Sequence, residues 1–170
     1  KSQGKNMSQL DLIVRGGRVI DGTGAQEFTG DVGVRDGKIV EISANGPITS
    51  QAKQTVSAEG AIVAPGFVDL HTHYDGQATW SNRMSPSSHH GVTSVVMGNC
   101  GVGFAPVRPT DHDLLIELME GVEDIPGVAL NEGLSWDWES FPDYLDYLSK
   151  RQFDMDVGAQ IPHAALRVYV

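Results

Sequence analysis

Two short apolar runs, each followed at once by polar residues, constrain the fold of this chain most strongly. The first, GFVDLHTHYD, begins at Gly66, and the second, VTSVVMGNC, runs from Val92 to Cys100. Short apolar runs ended by polar residues or glycine are typical of buried strands in a parallel sheet. Because the polar tips of parallel strands meet at one edge of the sheet, the pattern predicts an α/β fold with a site at that edge.

Amphipathic helices are expected after these strands. Between Asp111 and Glu123 the apolar residues recur at helical spacing, as do those after Ser140, where Pro142 would lie in the first turn. The expected apolar faces are Leu114, Leu115, Leu118 and Met119 in the first helix, and Tyr144, Leu145 and Leu148 in the second. The final segment, MDVGAQIPHAALRVYV, is interpreted as a further strand with a polar tip. A closed parallel α/β barrel needs eight strands and about 250 residues, so this chain is expected to hold only two or three of them.

The sequence ahead of the first parallel strand has a different pattern of apolar residues and glycines. Residues 10–63 contain short β-prone runs separated by glycine, which predict hairpins and a small β-sheet module. Residues 1–9 are interpreted as a leader outside the fold, and residues 64–170 as the α/β part. The expected turns are Asp21-Gly22, Asp36-Gly37 and, within the first run, Gly16-Gly17.

Charge narrows the class of partner. The chain carries 12 Lys and Arg against 22 Asp and Glu, a formal net charge of −10. This charge disfavours a nucleic-acid backbone or an anionic membrane as a partner. No apolar run approaches the roughly 20 residues that cross a bilayer. A small-molecule partner is therefore expected, with no nucleic acid and no membrane.

His71 and His73 are the main candidates for chemistry. Alternation along a strand puts residues i and i+2 on the same face, so both imidazoles can reach one metal ion. Neutral imidazole is a common ligand of zinc. Asp69, on the same face, is expected either to support the ion or to accept hydrogen bonds from backbone donors.

Cys100 is the single cysteine of the chain. It excludes an intrachain disulfide and fits a reducing, cytoplasmic compartment. Its position directly beyond an apolar strand puts it on the same rim as the two histidines, where a thiolate would complete a mixed nitrogen and sulfur site. From spacing alone, a buried structural thiol is slightly favoured over a metal ligand, because free cysteine is among the most buried residue types.

Other polar and aromatic residues carry weaker signals. The glycines after the second strand match neither the dinucleotide nor the P-loop motif, so they indicate a structural loop. His89 and His90 precede that strand, the wrong end for catalysis, and are expected at the surface or in packing. His163 is open between a role in the site and packing, whereas Trp136 and Trp138 are expected to pack.

Three segments together resemble the amidohydrolase superfamily and, within it, the N-acyl-D-amino-acid deacylase (D-aminoacylase) branch. They are VIDGTGAQEFTGDVGVRDGKIVEI, AIVAPGFVDLHTHYD and VTSVVMGNCGVGFAP. The first two are shared with hydantoinases and dihydroorotases, whereas Asn99-Cys100-Gly101 matches the cysteine ligand that this branch presents after its second strand. The later SWDWESFPDYLDYL and QIPHAALRVYV are also similar, so the resemblance extends from Leu10 onward.

The resemblance implies the N-terminal part of a distorted TIM barrel, preceded by a β-sandwich built from both ends of a longer chain. It implies one or two zinc ions held by His71, His73 and Cys100, with zinc-activated water whose pKa falls towards about 7. The implied reaction is hydrolysis of the amide bond of N-acyl-D-amino acids to a carboxylate and a free D-amino acid. His163 is a candidate substrate-binding residue.

The resemblance also implies that this chain is incomplete as a catalyst. The further histidine ligands and the catalytic aspartate of the family come from later strands. They are expected on the same parent polypeptide or on another chain, and the chain alone is not expected to catalyse the reaction.

Two alternative functions stay open from the sequence. A cyclic-amide hydrolase of the hydantoinase or dihydropyrimidinase kind would share the first two segments, but that branch expects a lysine ligand rather than Cys100. A non-catalytic scaffold of the same fold would have little reason to keep His71, His73 and Cys100 on one rim.

Overall fold

A computed structural model describes residues 9–170. These residues form two compact units, and the chain passes from one to the other between Pro65 and Gly66. Of the expected leader, residues 1–8 lie outside the described part. Among the helices described, none combines the length and the apolar character needed to cross a bilayer.

The first unit contains a five-stranded mixed sheet. Its strands are β1 (Leu10–Val19), β2 (Phe28–Arg35), β3 (Lys38–Ser43), β4 (Ala52–Ser57) and β5 (Ile62–Val63). Their order is β3-β2-β1-β4, with β5 also paired to β1. Antiparallel pairing of β1 with β2 and of β2 with β3 confirms two hairpins, whereas β4 and β5 run parallel to β1. The expectation of hairpins throughout is wrong there, because residues 44–51 carry the chain from the β3 edge to the far side of β1.

The glycine-containing turns differ in what they do. Asp36 and Gly37 have φ of 51° and 73°, the two positive values of a tight hairpin turn. Gly16 also has a positive φ of 69°, but β1 continues through it with a register shift between Val14 and Gly17. The expected turn at Gly16-Gly17 is therefore a bulge within one strand.

A buried carboxylate organises the first unit. Asp31 is 5% exposed and accepts hydrogen bonds from Arg15 Nη1 at 2.8 Å, from the Gly16 amide at 2.9 Å and from the Ile48 amide at 2.9 Å. Ile48 packs against Leu10 and Ile13, and these three buried residues form the small core of the first unit. The carboxylate thus ties the β1 bulge to the loop that precedes β4.

The second unit contains a three-stranded parallel sheet. Its order is β6 (Phe67–Asp69), β7 (Val92–Met97), β8 (Asp156–Ala159). The bounds of β7 are those expected from its apolar run. β6 is shorter than expected, and Phe67 and Val68 are 69% and 60% exposed. The expectation of a buried first strand is wrong here, because β6 is an edge strand of the described sheet.

Five α-helices are described in the second unit. They are α1 (Gln77–Trp80), α2 (His112–Glu123), α3 (Gly127–Gly133), α4 (Phe141–Ser149) and α5 (His163–Tyr169). The expected helices at α2 and α4 are confirmed, but Leu114 and Leu145 point outward, at 45% and 41% exposure. The buried stripe of α2 instead runs through Leu115, Ile116 and Met119. The final segment, expected to be a strand, is β8 followed by α5.

The described residues have an α/β fold, as expected from the sequence. Because only three parallel strands and one mixed sheet are described, the barrel and the sandwich stay predictions.

The core of the second unit joins the sheet to its helices. The core contains Val95 and Met97 of β7, Leu115, Ile116 and Met119 of α2, Leu130 of α3, Tyr144 and Leu148 of α4, and Phe104, Leu134 and Trp138 of the connecting loops.

We expect Asp31→Asn to lower the free energy of unfolding by about 1–3 kcal/mol, the cost of leaving buried donors unsatisfied. The amide nitrogen would face backbone or guanidinium donors, since both carboxylate oxygens accept hydrogen bonds. Urea unfolding measures the change. The matched control is Asp21→Asn, because the exposed Asp21 uses Oδ1 alone to accept from Thr23. Equal unfolding midpoints for the two variants would contradict this role for Asp31.

The start of α4 generates a second prediction. Ser140 Oγ accepts from the Asp143 amide, and Asp143 accepts from the Ser140 amide, forming a capping box. Ser140→Ala should cost about 1 kcal/mol in urea unfolding. Hydrogen bonds from Ser140 hold the pKa of Asp143 below 3.8, so the cap is complete above that pH and weakens as the pH falls through the lowered value. Ser149→Ala, at the other end of α4, is the control and should change little.

Candidate metal centre

His71 and His73 lie in the loop that leaves β6. The sequence predicted that alternation along a strand brings the two imidazoles together. This prediction is wrong, because the strand ends at Asp69, before either histidine. Instead the loop turns back, and Asp69 Oδ1 accepts from the His71 amide at 3.1 Å. Asp69 therefore bonds a backbone donor, one of its two expected roles. The rings of His71 and His73 meet edge to face with centroids 5.5 Å apart.

Cys100 lies in a strained loop that leaves β7. Its φ is 53°, and Gly98 and Gly101 on either side also have positive φ, of 85° and 78°. A left-handed backbone at a non-glycine residue costs about 1–3 kcal/mol and persists only where the surroundings enforce it. Close packing restrains this loop. A Cβ on Gly98, two residues before Cys100, would collide with the carbonyl oxygen of Gln160.

The two loops bring three potential metal ligands together. One donor atom from each of His71, His73 and Cys100 lies within 4.8 Å of the others. His71 Nε2 and Cys100 Sγ lie 3.2 Å apart. Cys100 is exposed, so the alternative of a buried structural thiol is wrong.

The donor set fits a zinc ion. Zinc takes nitrogen and sulfur ligands at about 2.0–2.1 Å and 2.3 Å in tetrahedral geometry, which puts neighbouring donors about 3.3–3.6 Å apart. The His71 and Cys100 donors are already near that separation. His73 offers the third donor, within 4.8 Å of both.

Hydrogen bonds between the loops hold this arrangement. The Val96 carbonyl, near the end of β7, accepts from the amide and hydroxyl of Thr72 at 3.1 and 2.9 Å and from Asn99 Nδ2 at 2.8 Å. Gln160 Nε2 donates to Asn99 Oδ1 at 3.1 Å, which links the loop after β8 as well. All three strands thus contribute to one rim.

Asp75 is a buried acid beside the centre that the sequence interpretation missed. It is 2% exposed and accepts from the Gly98 amide at 3.2 Å. Burial raises its pKa from 3.8 to about 7, and the negative charge of Glu123 adds to the effect. The signal in the sequence was its position at the end of GFVDLHTHYD, two residues after His73.

Aromatic side chains from the segment around α4 support both loops. Trp138 Nε1 donates to the Phe104 carbonyl at 2.7 Å, and Tyr144 donates to the Asp75 carbonyl at 2.8 Å. Trp136 packs face to face on His112 with centroids 3.9 Å apart. The expected packing role of the two tryptophans is confirmed.

The other histidines are separate from the three ligands. His89 and His90 are exposed in a 3₁₀ turn before β7, as expected. His163 is the first residue of α5 rather than part of a strand. A Cβ on Gly101 would lie 3.5 Å from that of His163, so this imidazole flanks the Cys100 loop.

Comparison with known proteins agrees with the geometry. The amidohydrolase family model matches residues 54–170. The D-aminoacylase of Alcaligenes xylosoxydans xylosoxydans is 35% identical over 95% of this chain, and the chain spans 31% of that protein's length. The N-acyl-D-aspartate deacylase of the same organism is 32% identical over 96% of this chain, which spans 30% of it.

Solved structures give the same result. A D-aminoacylase crystal structure is similar with a TM-score of 0.71 and 33% identity. An N-acyl-D-glutamate deacylase from Bordetella bronchiseptica, solved with zinc and a phosphonate mimic of the tetrahedral intermediate, gives 0.69 and 34%. Each alignment covers 95% of this chain and 31% of the known structure. The resemblance to the D-aminoacylase branch is thereby confirmed, and the chain belongs to the amidohydrolase family.

Proposed function

We propose that this chain supplies part of the active site of a zinc-dependent enzyme that hydrolyses the amide bond of N-acyl-D-amino acids. The products would be a carboxylate and a free D-amino acid. The convergence of His71, His73 and Cys100 from two loops carries the proposal. The similarity to D-aminoacylase and to the zinc-bound glutamate deacylase supports the choice of metal and substrate class.

Each ligand residue has a distinct role in the proposal. His71 and His73 offer neutral imidazole, and Cys100 offers a thiolate that can neutralise part of the charge of the ion. Zinc supplies Lewis acidity for amide hydrolysis when it is bound there. His71 and Cys100 are exposed, so a substrate can approach the rim from solvent. His163, beside the Cys100 loop, is proposed to contact that substrate.

The remaining parts of the site belong to the same proposal. We place the further ligands and a catalytic aspartate on another part of the same polypeptide or on another chain, because the chain spans only 31% of the D-aminoacylase. The whole would be a distorted TIM barrel with a β-sandwich, and the ions would number one or two. A cytoplasmic setting fits, since a reducing compartment keeps Cys100 available as a ligand.

Metal binding is the first test. Cys100→Ala should weaken Zn²⁺ binding by more than about 100-fold, because losing an outer hydrogen-bond partner of a ligand alone costs about 10–100-fold. Competition against a chromophoric chelator at neutral pH measures the affinity. His90→Ala is the matched control, since His90 is an exposed imidazole at the opposite end of β7. Equal affinities for Cys100→Ala and the unsubstituted chain would exclude the thiolate from the site.

Catalysis is tested on the protein at its native length. Release of free amino acid should be seen with N-acetyl-D-methionine and be much slower with the L enantiomer. Cys100→Ala should lower kcat/KM at least about tenfold, since even loss of a partner of a ligand has that effect. A preference for cyclic amides over N-acyl amino acids would redirect the proposal to a hydantoinase-like reaction.

A further inference from the structure

Glu123 is an acid on the core-facing side of α2. It follows Ile116 by seven residues and Met119 by four, the spacings that continue one helix face. Its side chain is only 24% exposed, whereas the neighbouring apolar Val122 is 50% exposed. In a regular amphipathic helix the apolar side chain would be the buried one and the acid the exposed one. The inward Glu123 carboxylate therefore needs a polar partner to offset its desolvation.

His73 is that partner. Glu123 Oε1 lies 3.4 Å from His73 Nδ1, and the His73 side chain is 17% exposed. Nδ1 itself is buried and makes no hydrogen bond in the structure. The separation is longer than the usual 2.7–3.2 Å, so a slight rotation of either side chain would form the bond. A buried ring nitrogen left without a partner is unusual, and the carboxylate is positioned to satisfy it.

We propose that Glu123 is a positioning residue for His73. After that slight rotation, its carboxylate accepts a hydrogen bond from Nδ1–H and so fixes the tautomer in which Nε2 keeps its lone pair for a metal. Metal-bound histidines commonly donate their second nitrogen to a carboxylate in this way, which orients the ring. The inference rests on the proposed metal site. It adds α2 to the elements that shape the site.

The nearby acid, Asp75, has a different partner. Its Oδ2 accepts from the Gly98 amide at 3.2 Å, which ties it to the loop that carries Cys100. Helix α2 ends directly after Glu123, where Asp124 adopts a left-handed φ of 54°. The helix end therefore sets where the Glu123 carboxylate lies relative to the imidazole.

The tautomer of His73 is the first test and needs no metal. In the metal-free chain with ¹⁵N-labelled histidine, NMR should assign His73 to the Nδ1–H form. Glu123→Ala should shift it towards Nε2–H, whereas Glu123→Gln keeps an acceptor and should retain the original form. Glu117→Ala, at an exposed position of the same helix, is the matched control. An unchanged tautomer in Glu123→Ala would overturn the inference.

Zinc affinity is the second test, on the same variants. Glu123→Ala should bind Zn²⁺ about 10–100-fold more weakly than the Glu117→Ala control, with Glu123→Gln between them. A tautomer shift without loss of affinity would overturn the positioning role. An unsubstituted chain that binds no zinc would overturn the proposed function. The tautomer in the metal-free chain would separately decide whether Glu123 holds the imidazole.

Discussion

The carbonyl oxygen of Val96 is the point on which the candidate site depends. It lies near the end of the central strand β7 and accepts hydrogen bonds from Thr72, between the two histidines, and from Asn99, next to Cys100. Both loops are therefore hydrogen-bonded to one atom of β7, the most buried strand of the second unit. Movement of the two histidines relative to Cys100 would break these hydrogen bonds. The end of β7 therefore stabilises a site whose ligands lie on irregular loops.

That geometry has a cost, and several contacts offset it. A left-handed Cys100 stores about 1–3 kcal/mol of backbone strain. The close approach of Gln160 to Gly98 leaves the loop little room to relax, and the Gln160 amide bonds Asn99. Trp138 and Tyr144 donate to backbone carbonyls of the two loops from the far side. The site is thus held by packing and hydrogen bonds of the whole second unit before any metal binds.

Much of this organisation was accessible from the sequence. The apolar run at Val92–Met97 predicted β7, and the apolar spacing with Ser140 and Pro142 predicted α4 and its start, because these signals are local. Prediction failed where distant contacts decide the outcome. Strands β4 and β5 pair parallel to β1 rather than as hairpins, and the segment after Pro162 is helical rather than extended. Leu114 and Leu145 fit an apolar face in the sequence, yet the packing leaves them exposed.

The sequence by itself determined which side chains can act as metal ligands and that each follows a strand of one sheet, because residue type and strand pattern are local properties. It also determined membership of the amidohydrolase family, since the motifs around His71 and Cys100 are contiguous. Only the tertiary structure decided that the two loops converge within ligand distance and that Cys100 is exposed. It alone brought Glu123 beside His73. These distances join residues 29 and 50 positions apart in the chain, and packing of α2 and β7 against a common core sets them.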